Sequence, residues 1–116
     1  MYLRATIIAL AALVASPVAA DFARVDDRSQ FMSIVEGRDL TRLGISLKVG
    51  AGSINGKAFG STVKGAWNWK DGYFCRSLYW GNKNLGDNCQ AVDVSGNTIR
   101  FTSDRGAGQS AELTLR

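Results

Sequence analysis

The sequence predicts a mainly β protein: a small antiparallel meander or barrel of about seven strands with one short N-terminal helix. Three observations carry that prediction. Beyond Gly37, apolar and polar side chains alternate with period two, interrupted at hairpin spacing by glycine, asparagine and aspartate. Only one stretch, ahead of Gly37, places apolar residues at helical spacing, so no helix separates the strands as βαβ units require. The 116 residues, thirteen of them glycine and one proline, suit a single domain.

Residues 1–20 read as a secretory signal peptide. Arg4 supplies the positive region, residues 5–15 are apolar apart from Thr6, and Ser16-Pro17-Val18-Ala19-Ala20 ends in the small side chains that a cut after Ala20 requires. The apolar run is about half of what a membrane helix needs. The expected mature chain is residues 21–116, a single small β domain with no membrane span, in the periplasm or secreted. It carries 13 basic and 10 acidic side chains.

The helix is expected over residues 27–36. Phe31, Ile34 and Val35 form one stripe, Asp26 or Asp27 can cap the start, and Gly37 suits the residue just past the end. The first strand carries Ile45, Leu47 and Val49, and Gly50-Ala51-Gly52-Ser53 turns the chain. Ile54, Gly56 and Ala58 alternate next, then Val63, Gly65, Trp67 and Trp69. Asp71-Gly72 is a favoured hairpin pair. Residues 73–80 form an aromatic-rich strand, 81–87 a polar loop, and 89–94 a weakly alternating strand. Ser95-Gly96-Asn97 turns into Ile99, Phe101 and Ser103, and a glycine-containing turn leads to Ala111, Leu113 and Leu115. Gly44, Gly56 and Gly65 mark bends or bulges, as closure of a small barrel requires, with the helix plugging one end or covering an edge.

Composition removes several chemistries. With no histidine there is no Ser-His-Asp triad, Cys-His pair or histidine metal ligand, and two cysteines cannot build a four-cysteine site. No cofactor is expected. The run Gly50-x-Gly52-x-x-x-Gly56 departs from the dinucleotide fingerprint and is followed by strand alternation, so it reads as a turn. Asp71 and Asp87 adjoin glycines and Asp104 lies two before Gly106, at turn positions, and no two carboxylates fall at a spacing that argues for one catalytic face. The cations are scattered along the sequence, which argues against nucleic-acid binding. In an oxidising compartment Cys75 and Cys89, 14 positions apart and without the C-x-x-C spacing of a redox pair, are expected to form a structural disulfide.

The lead towards function is aromatic. Trp67, Trp69, Tyr73, Phe74, Tyr79 and Trp80 fall within fourteen residues, together with Arg76. Two readings stand side by side: the rings fill the core, or some line a cavity or an exposed contact patch. Arg76 and Arg100 lie among strand residues; either one, turned inward, would need an acid such as Asp93 or an anionic ligand. The candidate ligand-binding set is therefore Trp67, Trp69, Arg76, Tyr79, Trp80 and Arg100. No residue is assigned a catalytic or metal-binding role.

Several motifs together carry a resemblance: Gly37-Arg38-Asp39-Leu40-Thr41-Arg42, Gly56-Lys57-Ala58-Phe59-Gly60, Gly65-Ala66-Trp67-Asn68-Trp69, Asp71-Gly72-Tyr73-Phe74-Cys75-Arg76, Asn88-Cys89-Gln90 and residues 99–106. Across nearly its whole length the chain resembles a group of short exported proteobacterial proteins that often carry the name dihydrodipicolinate reductase. That name implies a nicotinamide-dependent reductase with a nucleotide-binding domain, a glycine fingerprint and a histidine pair near a catalytic lysine. This chain has no histidine and no fingerprint opening a helix, so none of those residues carries over. The expectation is a binding domain that takes a small amphipathic or anionic ligand, or an envelope protein, through its aromatic and arginine surface. A reductase and a purely structural envelope protein are the alternatives.

Overall fold

The computed structural model describes residues 21–116; the expected signal peptide lies outside the described residues. The chain runs β1 (Ala23–Arg24), α1 (Arg28–Val35), β2 (Asp39–Arg42), β3 (Ile45–Val49), β4 (Ser53–Ala58), β5 (Ser61–Lys70), β6 (Tyr73–Trp80), β7 (Lys83–Ser95), β8 (Thr98–Thr102), a single 3-10 turn (Asp104–Gly106) and β9 (Ser110–Leu115). Strands β2 to β9 pair with their sequence neighbours throughout, all antiparallel, and β9 returns to β2. The result is a closed eight-stranded meander barrel with β1 as an extra strand. The seven expected strands are present. The structure adds β1 and β2, and it replaces the expected 81–87 loop by a tight turn at Gly81 and Asn82 followed by strand.

Helix α1 forms where its stripe and cap predict. The Asp27 carboxylate accepts from the Gln30 backbone N–H at 2.8 Å, and the Gln30 side chain accepts from the Asp26 N–H at 3.0 Å. Two of the N–H groups at the helix start are satisfied in this way. Gly37, at φ +72°, turns the chain out of the helix into β2.

The helix closes one end of the barrel. Phe31 is fully buried, with its ring 5.0–5.2 Å from those of Phe74, Trp67 and Trp69 and 6.3 Å from Phe101. The indole N–H of Trp67 donates to the Gly50 carbonyl at 2.8 Å, and that of Trp69 donates to the Asp26 carbonyl at 3.1 Å. Trp67 is thus buried and Trp69 partly buried, each with its one donor paired. Val25, Val35, Leu40, Val92 and Ile99 are the most deeply buried aliphatic residues of the same core.

The other end has no plug. Leu43 and Gly44 turn β2 into β3, Phe59 and Gly60 turn β4 into β5, and Gly81 and Asn82 turn β6 into β7. Gly44 therefore sits in a turn rather than in a strand bend. The bends belong to Gly56 and Gly65, where a Cβ would collide with the Ser46 and Ser77 carbonyls of the neighbouring strands. The longest strand, β7, serves two neighbours: it pairs with β6 up to Gln90 and with β8 from Ala91. Strand β1 takes the side that β6 leaves free, at Asp93 and Val94. The loop after β8 is clasped to β7 at Asn88 and Gln90, by Asn88 to Asp104 at 2.9 Å and Gln90 to Ser103 at 3.2 Å. Beyond that clasp the β6–β7 hairpin overhangs the barrel.

Among the described residues no helix is long and apolar enough to cross a membrane. Cys75 and Cys89 stand directly opposite each other on β6 and β7 and are disulfide-bonded.

Candidate functional site

The pleat of β6 decides which of its side chains enter the barrel. Phe74 is buried, so Arg76, Leu78 and Trp80 share its inward face, while Cys75, Ser77 and Tyr79 face outward. The register sets Arg76 between Trp67 of β5 and Asn88 of β7. An arginine is thereby placed in the wall of a largely apolar lumen.

That lumen contains a cavity of about 150 Å³, walled by side chains such as Leu47, Ile54, Phe74, Leu78 and Phe101, with Arg76 and Gln90 as its polar groups. Outside it lies a broad, open cavity of about 760 Å³, lined by the disulfide, Lys70, Asp87, Asn88, Asp104 and Arg105. Arg76 and Trp67 belong to its wall too, so Arg76 borders both spaces.

The surroundings of Arg76 satisfy it only in part. One guanidinium nitrogen donates to the Gly86 carbonyl at 3.0 Å. Burial pulls the guanidinium below its ordinary pKa, and the Asp87 carboxylate partly restores it. Among the described residues no carboxylate lies within salt-bridge distance of Arg76. The guanidinium has five N–H donors in a planar fork, so most of its capacity is open to an anion.

Arg100 is different. It lies 3.9 Å from Asp93 and 3.8 Å from Glu112, and its guanidinium rests 3.8 Å from the centre of the Phe22 ring. Asp93, weighed above as the partner of an inward arginine, neutralises Arg100 instead.

The structure therefore divides the sequence candidates among three places. Trp67 and Trp69 hold the plug at the closed end. Tyr79 and Trp80 stand exposed at the opposite end, where the Trp80 indole donates to the Ala58 carbonyl at 2.8 Å. Arg76 lies between these ends at the lumen wall, and Arg100 belongs to the β7–β9 sheet. Only Trp67 and Arg76 are directly opposite each other. Sequence reasoning missed Gln90 and Asn88. Their alternation with Cys89 was the available signal, obscured by the expectation of a loop up to Asp87.

A second feature missed in the sequence is a division of charge. Residues 39–86, which make β2 to β6 and the start of β7, hold seven cations (Arg42, Lys48, Lys57, Lys64, Lys70, Arg76, Lys83) and two carboxylates, Asp39 and Asp71. The remaining described residues hold six cations and eight carboxylates. The small net charge conceals a basic sheet joined to an acidic remainder.

The run from Gly50 to Gly56 forms the β3–β4 turn and the first part of β4, with no helix N-terminus after it. Among the described residues no group of three or more cysteine, aspartate or glutamate side chains could hold a metal ion. No family model, curated protein or solved structure matches the chain.

Proposed function

We propose that the protein binds a small anionic amphiphile, with the anionic group on Arg76 and a short apolar portion in the barrel lumen. The observation that carries this reading is a half-buried guanidinium in the wall of an apolar cavity, with no carboxylate partner within salt-bridge distance. Such a group costs stability unless its charge is used, and a carboxylate, sulfate or phosphate offers it a bidentate partner. The cavity, at about 150 Å³, has the size that holds one benzene ring. The ligand class is therefore an aromatic or short branched acid rather than a long-chain lipid. Gln90 adds a second polar contact, and Trp67 forms part of the approach.

The disulfide supports function in an oxidising compartment. Together with the reading of residues 1–20, it favours a periplasmic or secreted protein.

Titration with benzoate and with benzyl alcohol, followed by thermal shift and calorimetry, tests the site. Benzoate is expected to raise Tm and the alcohol to have little effect, with the difference abolished in Arg76→Gln. Equal responses to the two compounds, or an undiminished benzoate response in the variant, would remove Arg76 from the function.

A further inference from the structure

The unplugged end of the barrel has features that neither stability nor small-ligand binding explains. Among the described residues the exposed large apolar side chains are Leu43, Phe59, Tyr79, Trp80 and Leu85, and all five lie at or beside three neighbouring hairpin tips. Leu43 is 93% and Phe59 68% exposed. Phe59 links the three tips. The Phe59 ring covers Gly44, where a Cβ would meet its edge, and it packs edge-on against Trp80 with centroids 6.5 Å apart.

Phe59 is also in an unfavourable conformation. It occupies the first position of the two-residue β4–β5 turn at φ +50°, followed by Gly60 at +82°. Asparagine, aspartate or glycine suits such a position, and a bulky side chain is strained there. A strained aromatic that lies mostly in water gains little for the isolated fold. Strain of this kind persists where it serves a contact.

The charge around the patch has one sign. Arg42, Lys57, Lys64 and Lys83 are exposed on these hairpins, and residues 40–47, 53–66 and 78–86 contain no carboxylate. None of the four cations has a salt bridge among the described residues.

We propose that these three tips dock on the surface of an anionic lipid bilayer, with Leu43, Phe59 and Trp80 entering the interface and the cations meeting the headgroups. Aromatic and aliphatic side chains flanked by lysine and arginine are the composition that binds such interfaces. Protein interfaces are depleted in lysine, and a second copy of this chain meeting it tip to tip would bring like charges together. Projecting tips also suit a deformable surface better than a preformed groove.

Vesicle sedimentation of a chain starting at Asp21, which contains every described strand, the described helix and the disulfide, tests the proposal. Binding is expected to phosphatidylcholine vesicles containing phosphatidylglycerol, to weaken with added salt, and to shift the emission of Trp80 to the blue. Phe59→Asn is expected to reduce binding by roughly tenfold, the scale of losing one deeply inserted ring, while Tm stays equal or rises. The triple variant K57Q/K64Q/K83Q is expected to lose the preference for anionic vesicles. Arg76→Gln is expected to bind vesicles as the parent does, which separates this surface from the lumen site. Absence of vesicle binding, undiminished binding by Phe59→Asn, or binding to heparin without binding to vesicles would each overturn the proposal.

Discussion

The two ends of the barrel are built from similar side chains and differ in one element. At the closed end Phe31 enters from the helix, and Trp67, Trp69, Phe74 and Phe101 pack around it. At the open end Phe59 and Trp80 make a comparable edge-on contact, and nothing covers them. Tryptophans at both ends pair their indole N–H with a backbone carbonyl. An aromatic ring is therefore core or surface here according to whether a helix arrives to cover it. The comparison also separates two uses of aromatic area: stabilisation at one end, contact with something outside the chain at the other.

Two alanine substitutions would break this comparison most directly. Phe31→Ala removes a fully buried ring touched by four others, and it is expected to cost about 3–5 kcal/mol. Phe59→Ala is expected to change stability by about 0.5 kcal/mol or less, because its ring is mostly in water. Urea unfolding of both variants checks the contrast. Similar losses would mean that the open end is as much a part of the core as the plug.

The disulfide marks the boundary between the two regions. Cys75 adjoins Phe74 of the plug cluster, and Cys89 adjoins the residues that clasp the loop after β8. Replacing both cysteines by serine is expected to cost about 3 kcal/mol, the chain-entropy value for a loop of this size. Thermal unfolding with and without reductant measures it. The same reduction is expected to leave native Trp67 and Trp69 emission unchanged, since the helix and not the crosslink covers them. A red shift before unfolding would show that the bond holds the plug in place.

Where the sequence was legible, burial made it so. The helix stripe at Phe31 and Val35 and the alternation along β3, β5 and β8 record one wet face and one dry face. The early part of β7, Lys83 to Asn88, reads as a loop because the overhanging hairpin is largely exposed there and no alternation has reason to appear. Strand β2 carries a single buried side chain, Leu40, which is too little for a period. The cysteine pairing was legible through the expected compartment, and the register places the two directly opposite. The site was only half legible. Arg76 and Arg100 look alike in sequence, and the pleat turns one towards an apolar cavity and leaves the other between two carboxylates. Likewise Trp67 and Trp80 cannot be ranked by composition, because the end at which the helix docks is a property of the whole fold. The basic segment was readable throughout, and averaging charge along the chain concealed it.

The smallest expected effect sharpens the comparison at its midpoint, where Arg76 stands between the plug and the open tips. Burial lowers its pKa, so the charged form is less favourable in the folded than in the unfolded chain. That penalty is present at every pH below the folded pKa and is relieved only as pH rises through the window between the folded and unfolded values. Arginine titrates far above neutrality, so this contribution is expected to be flat across roughly pH 5 to 9. Arg76→Met keeps most of the side-chain volume and removes the charge. It is expected to leave Tm equal or slightly raised, by the same increment across that range, while benzoate loses its stabilising effect. An arginine kept for structure would behave in the opposite way: its loss would free the Gly86 carbonyl, lower Tm and leave the small-anion response intact. The signs of the two measurements together, and not either alone, assign the guanidinium to the ligand or to the wall.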